Sequence, residues 1–404
     1  MTRVLAIRSA RVIDGTGRVW ENATVIVRGD RIAAVGGQRD LSVPRGARIV
    51  DGRGLTLLPG MIDCHVHLCL GSEADVVAAV EQESPSLTLL KAAHRARQTI
   101  DAGITTVRDV GSRDHSIFAL QRAIDAGILP GPRIVGSGLA ICMIGGHARF
   151  IGREVEGEAQ VRTVAREQLA AGAGVIKVIA SGGVLTPGTS PDVAQMTVRE
   201  LAAAVAVAGE AGKKVAAHAH GASGMKNAIR AGVHSIEHAT LLDDETVGLM
   251  REHGVFAVPT LSALATTAAC RRGCGIPDSV LEKARGMTKR HQRSFAQAYR
   301  SGVRIAMGTD AGTPFNFHGE NAQELERMVA LGMTAMNAIL SATAEAAELV
   351  GLQNTLGTIQ PKRQADLLLV DGNPLKRIGV LCEPDRIVGV MKAGRFVSGP
   401  LAQA

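Results

Sequence analysis

The sequence predicts an α/β fold in which a (β/α)8 TIM-type barrel carries a small β-sandwich domain formed by the N- and C-terminal segments. Two observations predict the barrel. Short apolar segments alternate with longer helical segments through the middle of the chain, and eight such apolar segments can be counted. Apolar strands separated by helices are typical of a parallel sheet whose outer face is covered. Eight units favour closure into a barrel, although an open doubly wound sheet would show the same alternation.

Both ends of the 404-residue chain contain short strand patterns that are broken by Asp-Gly, Gly-Asp and Gly-Gly turns. Neither end has enough strands to bury a core alone, so we expect the two ends to combine. The strand patterns lie at residues 4–7, 23–27, 31–35, 365–370 and 387–392. We therefore predict residues 1–58 and 356–404 as the two parts of a β-sandwich, and residues 59–355 as the barrel.

The eight candidate barrel strands are short apolar runs. They begin near Met61, Ile104, Arg133, Gly174, Lys214, Val233, Val255 and Val303. Helical patterns at residues 87–102, 158–171, 197–211 and 278–301 lie between them. No G-x-G-x-x-G turn follows the first strand, which disfavours a nucleotide-binding sheet.

The composition excludes several functional classes. The net charge is +7, but the basic residues are scattered, and aromatic residues make up only 2% of the chain. The sequence therefore lacks both the basic patch and the stacking rings of a nucleic-acid-binding protein. No apolar run has the length of a membrane span, and the N-terminus lacks the apolar core of a signal peptide. We expect a cytoplasmic protein with no nucleic-acid or membrane partner.

The six cysteines do not have the density of a disulfide framework. Cys64, Cys142 and Cys382 lie among apolar residues and are expected to be reduced core thiols. Cys270 and Cys274 are four positions apart, but no second Cys or His pair follows that could complete a structural zinc site.

The first candidate for chemistry is the segment Asp63-Cys64-His65-Val66-His67, which ends the first barrel strand. Side chains two positions apart in a strand point to one face, so His65 and His67 can converge on a single metal ion. One such pair is weak evidence, because paired histidines are also common in polar loops.

The second candidate is Lys177, which stands in the centre of the apolar run Gly174–Ala180. An unpaired ammonium group is costly to bury. Such a lysine is expected to be salt-bridged, to reach the rim of the barrel, or to be chemically changed. Carboxylation by carbon dioxide would convert it into an anion that can bridge two metal ions.

Further metal-type ligands follow other strands: His218-Ala219-His220, Glu237-His238 and Asp310 in Met307–Gly312. Together with the first two candidates, they fall at the carboxyl ends of strands one, four, five, six and eight. Active sites of such barrels are assembled at this face. Because all of these residues fall at the same end of the predicted barrel, the sequence predicts a metal-dependent active site there.

The segments Asp63–His67, Lys177, His218, His238 and Gly308-Thr309-Asp310 resemble the ligand pattern of the binuclear metal-dependent amidohydrolase superfamily. Other stretches resemble the branch of prolidase-like and Xaa-Arg/Lys-type carboxypeptidases and ochratoxinase-like amidases. They are Gly145-Gly146-His147, Ala180–Val184, Ala217–Gly221 and His318–Asn321.

The resemblance implies two divalent metal ions, usually zinc, bridged by carboxylated Lys177. It assigns His65, His67 and Asp310 to one ion, and His218 and His238 to the other. A water between two such ions has a lowered pKa and attacks as hydroxide, and Asp310 is placed to take its proton and deliver it to the leaving amine. The implied enzyme is a dipeptidase, carboxypeptidase or N-acyl amino acid amidase, with a small-molecule substrate and a homo-oligomeric assembly.

Several residues are assigned less central roles. His147 is expected to donate to the developing oxyanion, and His220 to orient the substrate or support a neighbouring ligand. His318, Asn321 and Arg149 are candidates for binding a substrate carboxylate. Glu237 is expected to support the fold or a ligand. The remaining histidines are expected to be structural: His94, His115, His234, His253 and His291.

Alternatives remain for the substrate. Hydrolysis of a carbamate, urea or lactone would use the same site. Deamination is disfavoured because superfamily deaminases typically hold one metal and lack the lysine of strand four, and a non-catalytic scaffold would be expected to have lost ligands. The apolar segment 261–267 carries no acidic pair, which favours neutral or hydrophobic amino acids over Arg or Lys.

Overall fold

The computed structural model describes residues 4–37 and 40–403. The outermost positions of the predicted domains, 1–3 and 404, lie outside the described residues. The strands are β1 (Val4–Ile13), β2 (Val19–Arg28), β3 (Arg31–Gly37), β4 (Arg48–Asp51), β5 (Leu55–Pro59), β6 (Met61–Val66), β7 (Ile104–Asp109), β8 (Arg133–Gly136), β9 (Ala140–Met143), β10 (Gly152–Val155), β11 (Val175–Ile179), β12 (Lys214–Gly221), β13 (Ser235–Leu241), β14 (Phe256–Val258), β15 (Leu367–Asp371), β16 (Ile387–Lys392) and β17 (Arg395–Ser398).

The helices lie mainly between the strands of the central part of the chain. They are α1 (Val76–Gln82), α2 (Pro85–Asp101), α3 (Ser116–Asp125), α4 (Gly157–Ala171), α5 (Val198–Glu210), α6 (Ala222–Arg230), α7 (Asp244–Glu252), α8 (Leu261–Ala269), α9 (Asp278–Arg300), α10 (Gln323–Ala330), α11 (Ala335–Ser341), α12 (Ala344–Leu349) and α13 (Pro400–Gln403). Short 3-10 helices cover Arg149–Ile151, Ile378–Cys382 and Pro384–Arg386. The four predicted helical patterns correspond to α2, α4, α5 and α9.

The two ends of the chain share one sheet with the order β17-β16-β15-β5-β1-β2-β3, and β4 pairs with β1. The antiparallel pairing of β5 with β15 joins the ends, with Leu57 opposite Leu369. Both leucines belong to a buried apolar cluster contributed by both ends of the chain. This pairing places the terminal segments together. The sandwich layering and the domain boundaries stay predictions.

The central strands form two parallel sheets, one of β6-β7-β8 and one of β10-β9-β11-β12-β13-β14. Seven of the eight predicted strands start within two residues of the expected position. The third is divided: β8 pairs with β7, whereas β9 pairs with β11. Gly138, with φ of 67°, lies between β8 and β9 and lets the chain change direction there.

The eighth predicted strand, near Val303, is an irregular segment rather than a regular strand. Isolated parallel bridges join Ile305 to Ala257 in β14, and Ala311 to Val66 in β6. The chain between these bridges contains Asp310, whose φ of 59° is incompatible with an extended strand. The segment therefore contacts the edges of both parallel sheets without a continuous ladder, and closure into a complete ring stays a prediction.

Two of the six cysteines form a pair that the sequence analysis did not anticipate. Cys270, directly after α8, is disulfide-bonded to Cys274. Cys64 and Cys142 are free and buried, and Cys382 is free and partly buried, in agreement with their expected role as core thiols. None of the helices in the described residues is long and apolar enough to span a membrane.

The junction of the two chain ends can be tested with Leu369→Ala. Leu369 is fully buried, so the truncation should lower the free energy of unfolding by about 2–5 kcal/mol through lost burial and the cavity left behind. Trp20, the one tryptophan of the chain, lies in β2 of the same sheet, so its fluorescence during urea denaturation reports on this region. The control Leu90→Ala, at a side chain 69% exposed, should shift the midpoint little. Equal shifts in the two variants would contradict the role of this junction.

Candidate active site

The predicted ligands converge at the carboxyl ends of the parallel strands. His65 is the last residue but one of β6, and His67 directly follows this strand; Lys177 lies in β11, and His238 lies in β13. All four side chains are buried, as are His218 and His220 of β12 and Asp310. Together they line one cavity. The structure therefore brings together every residue that the sequence predicts as a metal ligand.

A first group of donor atoms surrounds Asp310. Its Oδ1 atom lies 3.4 Å from His65 Nε2 and 3.3 Å from His67 Nε2. His65, His238 and Asp310 each offer a donor atom within 4.8 Å of the others. A carboxylate with two or three imidazoles is a donor set that suits zinc and other divalent transition metals.

A second group consists of His218, His220 and His238, whose donor atoms also lie within 4.8 Å of one another. The ring centroids of His218 and His238 are 4.6 Å apart, and those of His220 and His238 are 4.7 Å apart. His220 is predicted from the sequence to orient the substrate or to support a neighbouring ligand. The structure places its ring beside those of His218 and His238.

The histidines after β6 are oriented by hydrogen bonds to their Nδ1 atoms. His65 Nδ1 lies 2.7 Å from a carboxylate oxygen of Glu237, and His67 Nδ1 lies 2.8 Å from the carbonyl oxygen of Gly111. Each acceptor requires a hydrogen on Nδ1, which leaves the Nε2 lone pair free to bind a metal ion. Glu237 thus supports a candidate ligand, as expected.

Two other histidines use threonine hydroxyls in the same way. His220 Nδ1 lies 2.7 Å from Thr240 Oγ1, and His238 Nδ1 lies 2.7 Å from Thr260 Oγ1. These contacts again turn Nε2 toward the cavity. Sequence reasoning missed both threonines, because a threonine at a strand end has no distinguishing pattern.

His218 has the opposite orientation, since its Nε2 lies 3.2 Å from the carbonyl oxygen of Gly182. This hydrogen bond leaves Nδ1 as the free ligand atom. Burial, together with the charge of neighbouring groups such as His147 and Lys177, lowers the pKa of His218 well below its ordinary value. A neutral imidazole is the form that binds metal ions.

Lys177 is enclosed in the middle of β11. Burial lowers the pKa of its ammonium group to about 8, although the nearby carboxylate of Glu237 opposes this effect. Lys177 forms no ion pair within residues 4–37 and 40–403. A salt bridge, one of the explanations considered for a lysine in an apolar strand, therefore does not account for it.

Asp310 is held in an uncommon backbone conformation, with φ of 59°. Its N–H donates to the carbonyl oxygen of His65 at 2.7 Å. Burial acts to raise the pKa of Asp310, but the charges and hydrogen bonds of His65 and His67 bring it below its usual range. Strained backbone of this kind is concentrated at functional sites, and the ionised carboxylate can act as a ligand or as a proton acceptor.

His147, between β9 and β10, also lines the cavity, with its ring centroid 4.5 Å from that of His218. Its Nδ1 atom lies 2.9 Å from Thr186 Oγ1. Burial and the charge of Lys177 lower the pKa of His147 to about 3. The ring is therefore neutral near pH 7 and can donate one hydrogen bond to a bound group.

Three residues predicted to bind substrate do not line the cavity. Asn321 Nδ2 donates to Asp63 Oδ2 at 2.7 Å, and this hydrogen bond helps to hold β6 in place. His318 Nε2 lies 3.1 Å from the carbonyl oxygen of Leu70, and Arg149 is exposed. Asn321 and His318 therefore hold the chain that surrounds the ligands, and we do not retain the three residues as substrate contacts.

His291 is predicted from the sequence to be structural, but its side chain lines the cavity. It projects from α9, and its Nε2 lies 2.9 Å from the carbonyl oxygen of His238. It thereby supports a ligand-bearing segment. Its position on the buried face of an amphipathic helix gave no sign of this contact in the sequence.

The remaining cavity walls are mainly apolar, with Thr260, Thr267 and Thr313 also present, and come from several loops and helices. They include Leu70, Val110, Phe150, Ile151, Ile179, Val184, Leu185, Ala263 and Leu264. Among the described residues that line the cavity, Asp310 is the only carboxylate. The cavity therefore combines a cluster of polar candidate ligands, which we call the cavity floor, with mainly apolar walls, as in many small-molecule sites.

Comparison with known proteins identifies the family. Residues 56–397 match the amidohydrolase family. The chain belongs to this family and is a hydrolytic enzyme of its ochratoxinase- and prolidase-like branch, and its structural neighbours imply a TIM-barrel-type fold.

Particular relatives resemble the chain over nearly its whole length. Ochratoxinase from Aspergillus niger is 30% identical over 430 aligned positions, which cover 98% of this chain and 87% of the relative. The crystal structure of a Xaa-Pro dipeptidase with methionine bound in its active site is 36% identical, with a TM-score of 0.91 and coverage of 98% and 100%. A prolidase complexed with N-methylphosphonate-L-proline is 32% identical, with a TM-score of 0.90 and coverage of 98% and 99%.

The orientation of His238 by Thr260 can be tested with Thr260→Val, which removes the hydroxyl but keeps the β-branched shape. Without this partner, the affinity for zinc should fall about 10–100-fold, as is typical when the hydrogen-bond partner of a metal-binding histidine is lost. Competition with a chelating dye measures the affinity. The matched control is Thr163→Val on the exposed face of α4. Wild-type affinity in Thr260→Val would show that this hydrogen bond does not orient a ligand.

Proposed function

We propose that this protein is a binuclear metal-dependent amidohydrolase that cleaves the amide bond of dipeptides or N-acyl amino acids. The observation that carries the proposal is the pair of donor groups on the cavity floor. His238 belongs to both groups, so the two metal positions would be adjacent. The relatives named for cleaving dipeptides favour an amide substrate over a carbamate, urea or lactone.

The donor set fits two divalent ions. His65, His67 and Asp310 would hold one ion and His218 and His238 the other, with carboxylated Lys177 between them. His220 is a further candidate for the second position. When bound, such ions lower the pKa of water and polarise the scissile carbonyl. Mixed imidazole and carboxylate ligands favour zinc.

The proton steps fall to residues of the chain itself. Asp310 accepts a proton from the attacking water at its carboxylate and returns it to the leaving nitrogen. It is suited to this because it is buried beside the ligands, where few waters compete. His147, which lines the same cavity, donates a hydrogen bond to the oxygen on which negative charge develops. Thr186 keeps the His147 ring in place for this task.

We infer the preferred substrate side chains from the residues that form the cavity walls. Phe150, Val184, Leu185 and Leu264 present apolar surface, which favours hydrophobic side chains. Apart from Asp310, a candidate ligand, the lining residues within the described part of the chain offer no carboxylate to a substrate ammonium or guanidinium group. We therefore expect N-acyl derivatives of Phe, Leu or Met to be better substrates than those of Arg or Lys.

Other features belong to the same proposal. We propose a closed eight-stranded barrel with a β-sandwich at the joined ends of the chain, and a homo-oligomer in the cytoplasm. Sedimentation of the purified protein tests the assembly.

The decisive experiment is a hydrolysis panel of dipeptides, N-acyl amino acids and carbamates. The enzyme is assayed as purified, after chelation, and after addition of zinc with bicarbonate. Release of amino acids should disappear on chelation and return with metal. Substrates with Phe, Leu or Met should exceed those with Arg or Lys by at least about 10-fold in kcat/KM, because the apolar wall leaves a charge unpaired. Turnover of the carbamates alone would overturn the proposed substrate class.

The role of Lys177 is tested with Lys177→Met, which keeps an unbranched side chain one atom shorter but cannot be carboxylated. We expect about one metal ion per chain or fewer, and a loss of at least ~10³-fold in kcat, since a bridging ligand and one ion are absent. Bicarbonate should stimulate reconstitution of the wild type but not of this variant. The control Lys213→Met, at an exposed lysine, should match the wild type. Two tightly bound ions in Lys177→Met would disprove the bridging role.

A further inference from the structure

Three backbone carbonyl groups of one loop converge on the ammonium group of Lys283 in α9. Lys283 Nζ donates to Thr189 O at 2.7 Å, to Thr186 O at 3.1 Å and to Gly183 O at 3.2 Å. An ammonium group has three N–H donors, so all of them are directed to this loop. Within the described ranges Lys283 has no carboxylate partner. We name residues 180–190, which follow β11, the carbonyl loop.

The carbonyl loop contacts two histidines of the site. Thr186 Oγ1 lies 2.9 Å from His147 Nδ1, and the carbonyl oxygen of Gly182 lies 3.2 Å from His218 Nε2. Thr186 therefore accepts from Lys283 with its carbonyl and contacts His147 with its hydroxyl. The loop is the direct connection between α9 and the two rings.

The loop also has little room to move without disturbing the site. A Cβ atom at Gly183 would lie 2.2 Å from His147 Nε2, so the backbone there is in close contact with the ring. The next residue, Val184, lines the cavity. The Thr189 hydroxyl lies 3.0 Å from Thr186 O and 3.3 Å from Gly183 O, but its single hydrogen can serve only one of these carbonyl groups. Without the ammonium group, the other one and Thr189 O would lack this donor in a largely buried loop, which is unfavourable and favours other loop conformations.

We infer that Lys283 is a positioning residue, whose ammonium group holds the carbonyl loop in the conformation that orients His147 and His218. It does not reach the cavity itself. Its effect on hydrolysis passes through Thr186 to His147 and through Gly182 to His218. The effect on turnover rests on the proposed function, whereas the effect on the loop does not.

Hydrogen–deuterium exchange of the full chain, as purified, tests the structural part without a substrate. Lys283→Met removes the donors and keeps most of the apolar stem. Protection of backbone amides in residues 180–190 should fall at least about 10-fold, while strands β12 and β13 keep theirs. The matched control is Lys289→Met, at an exposed lysine of the same helix, and it should exchange as the wild type does.

Chemical rescue tests the functional part. Lys283→Ala should lose about 10–100-fold in kcat/KM, mainly in kcat because the rings that act in the transition state are misplaced. Ethylammonium, which can supply N–H donors to the three carbonyl groups, should restore at least about 10-fold of this loss. Tetramethylammonium carries the same charge without N–H groups and should restore none.

Three outcomes would overturn the inference: unchanged exchange of the carbonyl loop in Lys283→Met, loss of protection across the whole chain, or equal rescue by both cations. If no substrate of the panel is hydrolysed even by the wild type, the proposed substrate class fails. The exchange comparison still decides the role of Lys283 in that case.

Discussion

The orientation of the candidate ligand His65 depends on a buried ion pair between Arg108 of β7 and Glu237 of β13. Arg108 Nη2 lies 2.9 Å from both oxygens of Glu237, and Glu237 in turn holds His65 Nδ1. Both charged side chains are almost fully buried. Removal of two charges from water is costly, and the cost is offset only when every polar atom finds a partner. Arg108 also donates to Ser235 and to the carbonyl oxygen of Cys64, so the bonds that stabilise the core also orient a candidate ligand.

Much of this site could be predicted from the sequence, because two patterns locate its residues. One is the alternation of strands with helices, and the other is the position of polar residues at the ends of the strands. The alternation of strands and helices located seven strand starts, and residues just after a parallel strand must lie at one edge of the sheet. This register was enough to select His65, His67 and His238, whereas Lys177 was selected as a charged residue in the centre of an apolar strand. Lys177 was the most informative residue, since a lysine in an apolar strand conflicts with its surroundings.

The remaining features depend on contacts between segments that are distant in the chain. Asn321 is close to Asp310 in sequence, but the intervening turn carries it behind β6, to Asp63. The path of that turn and the φ angle of Asp310 are determined by contacts with other segments of the chain, and no local sequence pattern indicates them. For the same reason the sequence did not reveal that His220 packs against His238, or that Cys270 pairs with Cys274.

The joined ends of the chain have a consequence for biosynthesis. Thr56 Oγ1 in β5 donates to the carbonyl oxygen of Gly372, 316 positions later. At about 5–20 residues per second, a ribosome would need roughly 15–60 s to make the intervening chain. During that interval the nascent strand β5 lacks its partner β15, and its apolar residues and free edge are exposed. The newly made N-terminal segment therefore keeps an unpaired, aggregation-prone strand edge until the last strands emerge.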